Sequence, residues 1–219
     1  MNRLIPAICL LASSSLVVPA DGAGATRLQT CATRCVGLDT TLANTLLRFY
    51  TGRSYGQTFT TQDTLIESIT IWRAGVLPLD NTPLRMFITE VDSTGRPDVF
   101  NIVNSGAIII IPAGDSIHAT AGTWAYSPPL ALPHRGMFCF AVHDNLYCLD
   151  SEPLLASTLD PYPGGRAWRF TPGTFCQDLG PPFGGLAEDS DDLIFTINFC
   201  DTSTPVRRKT WGELKMLYH

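Results

Sequence analysis

The chain has 219 residues, a net charge of −5 and a sequence pI near 5.2, with one residue in six charged. That balance excludes a nucleic-acid partner, which needs a basic face, and only Arg207 to Lys209 are locally basic. Eighteen Gly and 16 Pro spread along the chain imply short elements and many turns rather than long helices.

The N-terminus reads as a secretory signal over residues 1–25. Arg3 supplies the positive region, "LIPAICLLASSSLVV" is a short apolar stretch, and "AGA" ending at Ala25 is a small-residue cleavage site, with "VPA" ending at Ala20 as the alternative. Pro6 and the serines break the run, which is too short for a membrane span. Cys9 raises a lipoprotein reading, but Ile8 before it is too large for the usual lipobox. Export implies a secreted, extracellular or cell-surface protein, with the periplasm as a variant. Beyond the signal, about 190 residues form one domain's worth of chain.

Residues 26–50 carry one helical pattern, "DTTLANTLLRF", where Asp39 or Thr40 can cap and Leu42, Leu46 and Leu47 form a stripe. From residue 51 to 200 the patterned segments are strands: "SYGQTFTT", "TLIESITIWR", "PLRMFITEV", "GAIIIIP", "TWAYS", "GMFCFAV", "AWRF" and "DLIFTINF". Short strands without strand–helix alternation predict an antiparallel β-sandwich of the jelly-roll kind, with a short N-terminal helix. Residues 201–219 follow as a Ser/Thr/Pro linker and a short amphipathic helix with Trp211, Leu214 and Tyr218 on one face. That tail either docks on its own domain or meets an export, sorting or surface-assembly partner.

Six cysteines lie beyond the signal, an even number that favours disulfides in an exported chain. "CFAVHDNLYC" reads as a hairpin turning between His143 and Asp144, which sets Cys139 opposite Cys148. Cys176 with Cys200 and Cys31 with Cys35 then remain as pairs.

Chemistry is thinly marked. "GRSYG" at Gly52 to Gly56 matches the G-x-S-x-G elbow of serine hydrolases, but that elbow needs a strand before Ser54 and a helix after it, and the patterns here run in the reverse order. His118, His134, His143 and His219 show no metal-ligand spacing, and the acid pair Glu67 and Glu90 has no feature that marks a glycosidase. Glu188, Asp189, Asp191 and Asp192 could offer oxygens to calcium from one loop, although their spacing is not that of an EF-hand. No other cofactor is expected.

For binding, the exposed ring is the informative feature. Strand parity turns Leu65, Ile69 and Ile71 inward and Trp72 outward, beside Arg73. In "DPYPGGRAWRF" it sends Trp168 and Phe170 to the core and leaves Tyr162, Arg166 and Arg169 around the rim of a turn. "GQTFTTQDTLIESITIW", then "PLRMFITEVDSTGRPD" and "FCFAV", resemble the β-sandwich domains of bacterial exported proteins and, through them, jelly-roll carbohydrate-binding modules. The resemblance spans about Ser54 to Asn198 and rests on strand residues such as Phe59, Leu65, Ile69, Ile71 and Ile88. The sequence reads as a non-catalytic binding or adhesion module. The resemblance implies a carbohydrate ligand but transfers no binding residues, and the residues themselves make Trp72, Arg73, Tyr162, Arg166 and Arg169 the candidate contacts. The alternative is a structural component of a surface layer or appendage that assembles through the tail.

Overall fold

A computed structural model describes residues 34–48, 54–74, 82–112, 118–144, 153–170 and 186–200. The described chain is all-β and forms two antiparallel sheets. The first strands are β1 (Arg34–Gly37), β2 (Thr45–Arg48), β3 (Ser54–Thr61), β4 (Leu65–Arg73), β5 (Thr82–Val91) and β6 (Pro97–Ile111). They are followed by β7 (Thr120–Ala131), β8 (Gly136–Asp144), β9 (Pro153–Ser157), β10 (Ala167–Phe170), β11 (Leu186–Glu188), β12 (Asp192–Leu193) and β13 (Phe195–Phe199). One sheet runs β11-β10-β3-β8-β5-β6, and the other runs β1-β13-β4-β9-β12, with β2 on β9 and β7 on β4.

The facing sides of the sheets make one core. Phe59, Phe138 and Phe140 from the six-stranded sheet meet Ile69, Ile71, Phe195 and Ile197 from the other, all fully buried. Phe195 is the hinge of this contact, with the Phe140 ring 5.3 Å away edge-on and the Tyr162 ring 5.1 Å away at 84°. Such tilted pairs are favourable beyond the area they bury.

Three expectations fail here. The helical reading of "DTTLANTLLRF" is overturned: Asp39 does cap, accepting from Thr41 N at 2.8 Å, but it caps a single 3-10 turn, Thr40–Leu42. Leu46 and Leu47 then lie in β2, opposite Leu155 and Leu154 of β9. Pairing with a neighbouring strand outweighs a weak local helix preference. The expected helix in residues 201–219 lies outside the described residues.

Parity along β4 also breaks. The ladder with β7 is irregular between Ile66 and Ser68, so Ile66 reaches the core while Leu65 is half-buried. Ile69 and Ile71 keep their expected inward side.

The Cys139–Cys148 hairpin is the third. β8 runs straight through the expected turn, with His143 opposite Arg85 and Asp144 opposite Leu84. Cys139 is a free, fully buried thiol that donates to Phe140 O at 3.3 Å. Burial pushes its pKa well up, so it stays protonated. Cys35 and Cys200 are disulfide-bonded, but Cys31, Cys148 and Cys176 lie outside the described residues, and so do the pairings expected for them.

The turn that feeds β10 depends on close backbone approach. A Cβ at Gly165 would sit 1.8 Å from Thr58 O, because Thr58 N donates to Arg166 O and Arg166 N to Thr58 Oγ1 on either side of it. Gly165→Ala should therefore lower stability by at least ~2 kcal/mol, since the obstacle is backbone and cannot rotate away. Chemical denaturation against wild type measures this, and an unchanged midpoint would contradict the packing described.

Candidate functional site: the outer face of the six-stranded sheet

Register fixes which side chains share the outer face of the six-stranded sheet. Phe170, Ser54, His143, Arg85 and Ile108 stand in one row across β10, β3, β8, β5 and β6. Trp168, Gly56, Ala141, Phe87 and Ser105 form the next row, followed by Thr58, Cys139 and Thr89. Cys139, Ala141, Trp168 and Phe170 constitute a second buried cluster, separate from the core between the sheets.

Trp168 and Phe170 are therefore buried as expected but on the opposite side. Ala167 and Arg169 share the inner parity of Gln57 and Tyr55. Gly56 permits this arrangement, because a Cβ there would stand 2.9 Å from the Phe170 ring and 2.4 Å from Phe140 O.

This row brings together two residues 89 positions apart. Ser54 Oγ and His143 Nδ1 are 2.6 Å apart, and both side chains are buried. The pair has the reach of a nucleophile and its base. Its backbone setting differs from that of a hydrolase, however. Ser54 opens β3, a continuous strand flanked by β10 and β8, with Ser54 opposite Phe170 and Tyr55 opposite Val142 and Arg169. The amides beyond the serine are committed to ladders, whereas an oxyanion hole needs them free.

Arg85 spreads over the same face. Its Nε donates to Gly106 O at 3.2 Å, its Nη2 to Ser105 Oγ at 2.7 Å, and its guanidinium lies 5.1 Å from the centre of the Phe87 ring. Two polar atoms on this face, Trp168 Nε1 and Thr89 Oγ1, are buried with no hydrogen-bond partner among the described residues. Buried polar atoms are normally paired, so these two are exceptions on this face.

The residues singled out from sequence do not converge. Tyr162 is a core residue, not a rim one: it is 8% exposed, its hydroxyl accepts weakly from Thr60 N at 3.4 Å, and burial raises its pKa to about 12. Arg73 is 2% exposed, and its Nη1 donates to Pro112 O at 3.2 Å. Trp72 is half-buried in the other sheet and packs on the edge of the core. Arg166 is exposed and Arg169 half-buried. No sequence signal linked Ser54 to His143, since only the long-range register of β3 on β8 makes them neighbours.

The acidic run also separates. Asp192 is 2% exposed and its carboxylate is fully used, with Oδ1 accepting from Gln57 Nε2 at 2.8 Å and Oδ2 from Tyr162 N at 3.0 Å. Asp189 Oδ1 accepts from Asp191 N at 3.4 Å, Asp191 Oδ1 from Ser190 Oγ at 3.1 Å, and Glu188 closes β11 opposite Trp168. Among the described residues, no group of three or more His, Cys, Asp or Glu could hold a metal ion. Glu90 serves His134 instead, at 2.8 Å, on an exposed imidazole stacked 4.8 Å from the Phe138 ring.

No family model matches the chain, and no curated protein does either. A solved structure of the cysteine protease and lectin-like domains of Cwp84, a surface-layer-associated protein of Clostridium difficile, is similar at a TM-score of 0.39 and 10% identity. The match covers 68% of this chain and 32% of that one, so the chain spans about a third of that structure's length. A likeness this remote leaves the function to be argued from the residues.

Burial raises the pKa of Asp192, with the neighbouring Asp160 adding to it and the bonds from Gln57 and Tyr162 opposing it. A carboxyl whose folded pKa exceeds its unfolded value holds its proton more tightly in the native state. Its contribution is therefore largest below the unfolded value and is lost as pH rises through the folded one. Wild type should gain stability relative to Asp192→Asn as pH falls from neutral toward about 4. Denaturation curves of both proteins across that range measure the difference, and the opposite slope would contradict the assignment.

Proposed function

We propose that this chain is a secreted or cell-surface module that binds its ligand without catalysis, that the ligand is carbohydrate, and that it docks on the outer face of the six-stranded sheet. The observation that carries this reading is the pair of unpartnered buried polar atoms, Trp168 Nε1 and Thr89 Oγ1, on a face that also holds Phe87, Phe170 and the Arg85 guanidinium. Sugars present apolar ring faces and hydroxyls together, and rings interleaved with hydrogen-bonding groups match both. The two antiparallel sheets fit the jelly-roll expectation, and the signal-like N-terminus with disulfide-bonded Cys35 and Cys200 supports export to an oxidising compartment. Arg166, exposed on the turn before β10, is a peripheral contact in this reading, whereas Arg169 shares the inner parity of β10 and lies on the other side of the sheet.

Trp168→Phe and Thr89→Val each remove one unpartnered polar atom and keep the packing shape. Both should leave the melting temperature unchanged or slightly raised, because an orphaned buried group is a net cost. Each should weaken glycan binding about tenfold, corresponding to one lost hydrogen bond. A glycan array and pull-down on insoluble polysaccharides supply the ligand for that titration. Silence in both assays would remove the carbohydrate reading, and full binding by both variants would move the site to another face.

A serine hydrolase is the second reading, favoured only by the 2.6 Å contact of Ser54 with His143. It requires Ser54 to react with a fluorophosphonate probe. The ladder-bound amides around it predict no labelling, and labelling abolished by Ser54→Ala would reverse the order of the two readings.

A further inference from the structure

The edge of β6 is finished unevenly. Among the described residues, β6 ends the six-stranded sheet, with β5 on one side and no strand paired on the other. Around its C-terminal half, carbonyls are capped by side chains: Gly106 O by Arg85, Ala107 O by Trp124 Nε1 at 2.9 Å, and Pro112 O by Arg73. Between them lie Ile108 and Ile110, which are 46% and 64% exposed. Among the described residues, no hydrogen bond from outside the ladder reaches their backbone.

Proline shows which amides face outward. Pro83 lies opposite Ile110, and the described pairing of β5 with β8 ends at Leu84 and Asp144. An inner-strand proline sits where its missing N–H faces no partner, which here is the side beyond the end of that pairing. Ile110 and, two residues on, Ile108 are then the non-bonded partners of β5, and their N–H and C=O groups point to the open edge. Ile109 and Ile111 point theirs at β5, and Ile111 is buried.

We propose that this edge pairs with a second copy of the chain in antiparallel register about a two-fold axis at Ile109. That register sets Ile108 opposite Ile110 of the partner and the reverse, so each outward N–H meets an outward C=O and four hydrogen bonds form. The same register stacks the exposed isoleucines across the axis. Charge selects a second copy over a charged partner. Asn101 to Ile111 contains no ionisable residue, so two chains of net charge −5 meet there without like-charge contact. An edge of three residues, Ile108 to Ile110, buries far less than the ~1,200–2,000 Å² of a stable complex, which makes the dimer weak unless Phe100, 85% exposed on the same strand, joins it. This surface is separate from the ligand face and does not depend on its ligand.

Sedimentation equilibrium of the folded chain, from low micromolar to millimolar concentration, tests the pairing. Wild type should shift from monomer to dimer, and Ile108→Lys/Ile110→Lys should remain monomeric throughout. Because a lysine pair could disturb folding, amide exchange of wild type gives an independent readout. Exchange at Ile108 and Ile110 should slow about tenfold with rising concentration, while Ile109 and Ile111 stay protected at every concentration. A wild type that stays monomeric, a dimer that survives the double variant, or exchange at Ile108 and Ile110 that ignores concentration would each overturn the proposal. So would a dimer lost on removing residues 201–219 with β6 intact.

Discussion

The two sheets are held together by a polar contact as well as by packing, and that contact positions everything on β3. Asp192 on β12 accepts from the Gln57 side chain on β3 and from Tyr162 N, and Gln57 Oε1 accepts from Leu193 N at 3.0 Å. Donors and acceptors close a small ring across the interface, with no buried amide or carboxylate oxygen of these residues left over. Such a network is stable only as a whole, because removing one member orphans the others in a low-dielectric interior. It also fixes the strand register. A shift of β3 by one residue would place Thr58 or Gly56 at Asp192 and bring both Phe59 and Ser54 to the wrong face.

Through this anchor the two sides of β3 acquire different characters. Inward lie Tyr55, Gln57 and Phe59, and outward lie Ser54, Gly56 and Thr58. The outward set is small and polar, which leaves room for Trp168 and Phe170 from β10 to lie over it. Ser54 and His143 satisfy each other at the end of that row, so a hydroxyl and an imidazole can be buried beside rings without loss. The same turn serves both sides: Tyr162 enters the core against Phe195, while six residues later Trp168 faces the other way.

Strand residues with strong alternation were legible in sequence. Ile69 and Ile71 lie inward as their spacing implied, Phe59 and Ile88, on which the resemblance rests, are buried with them, and the two-sheet all-β frame follows from such segments. What failed had nonlocal causes. Leu46 and Leu47 read as helix because the pattern of their neighbours fits a stripe, yet β9 offers them a partner strand that was not recognised. Cys139 and Cys148 looked like hairpin partners because the turn residues His143 and Asp144 lie midway, although β5 keeps β8 extended through both. Trp168 was placed in the core because apolar was equated with inward, whereas a sheet with a covered outer face has two apolar sides. The candidate site was the least legible part, since its members come from five strands and only register unites them.

Charge was the most misleading sequence cue. In a chain with so few ionisable residues, each arginine beside an aromatic invites a ligand reading. Arg73 and Arg85 instead spend donors on the carbonyls of Pro112 and Gly106, at the end of β6 and in its bulge. A carbonyl left without a partner at a strand end or a bulge is expensive. A guanidinium suits this task because several N–H groups diverge from one planar head and never lose their charge. Trp124 does the same with its indole N–H at Ala107. Arginine and tryptophan near a sheet edge therefore say first that backbone groups need partners.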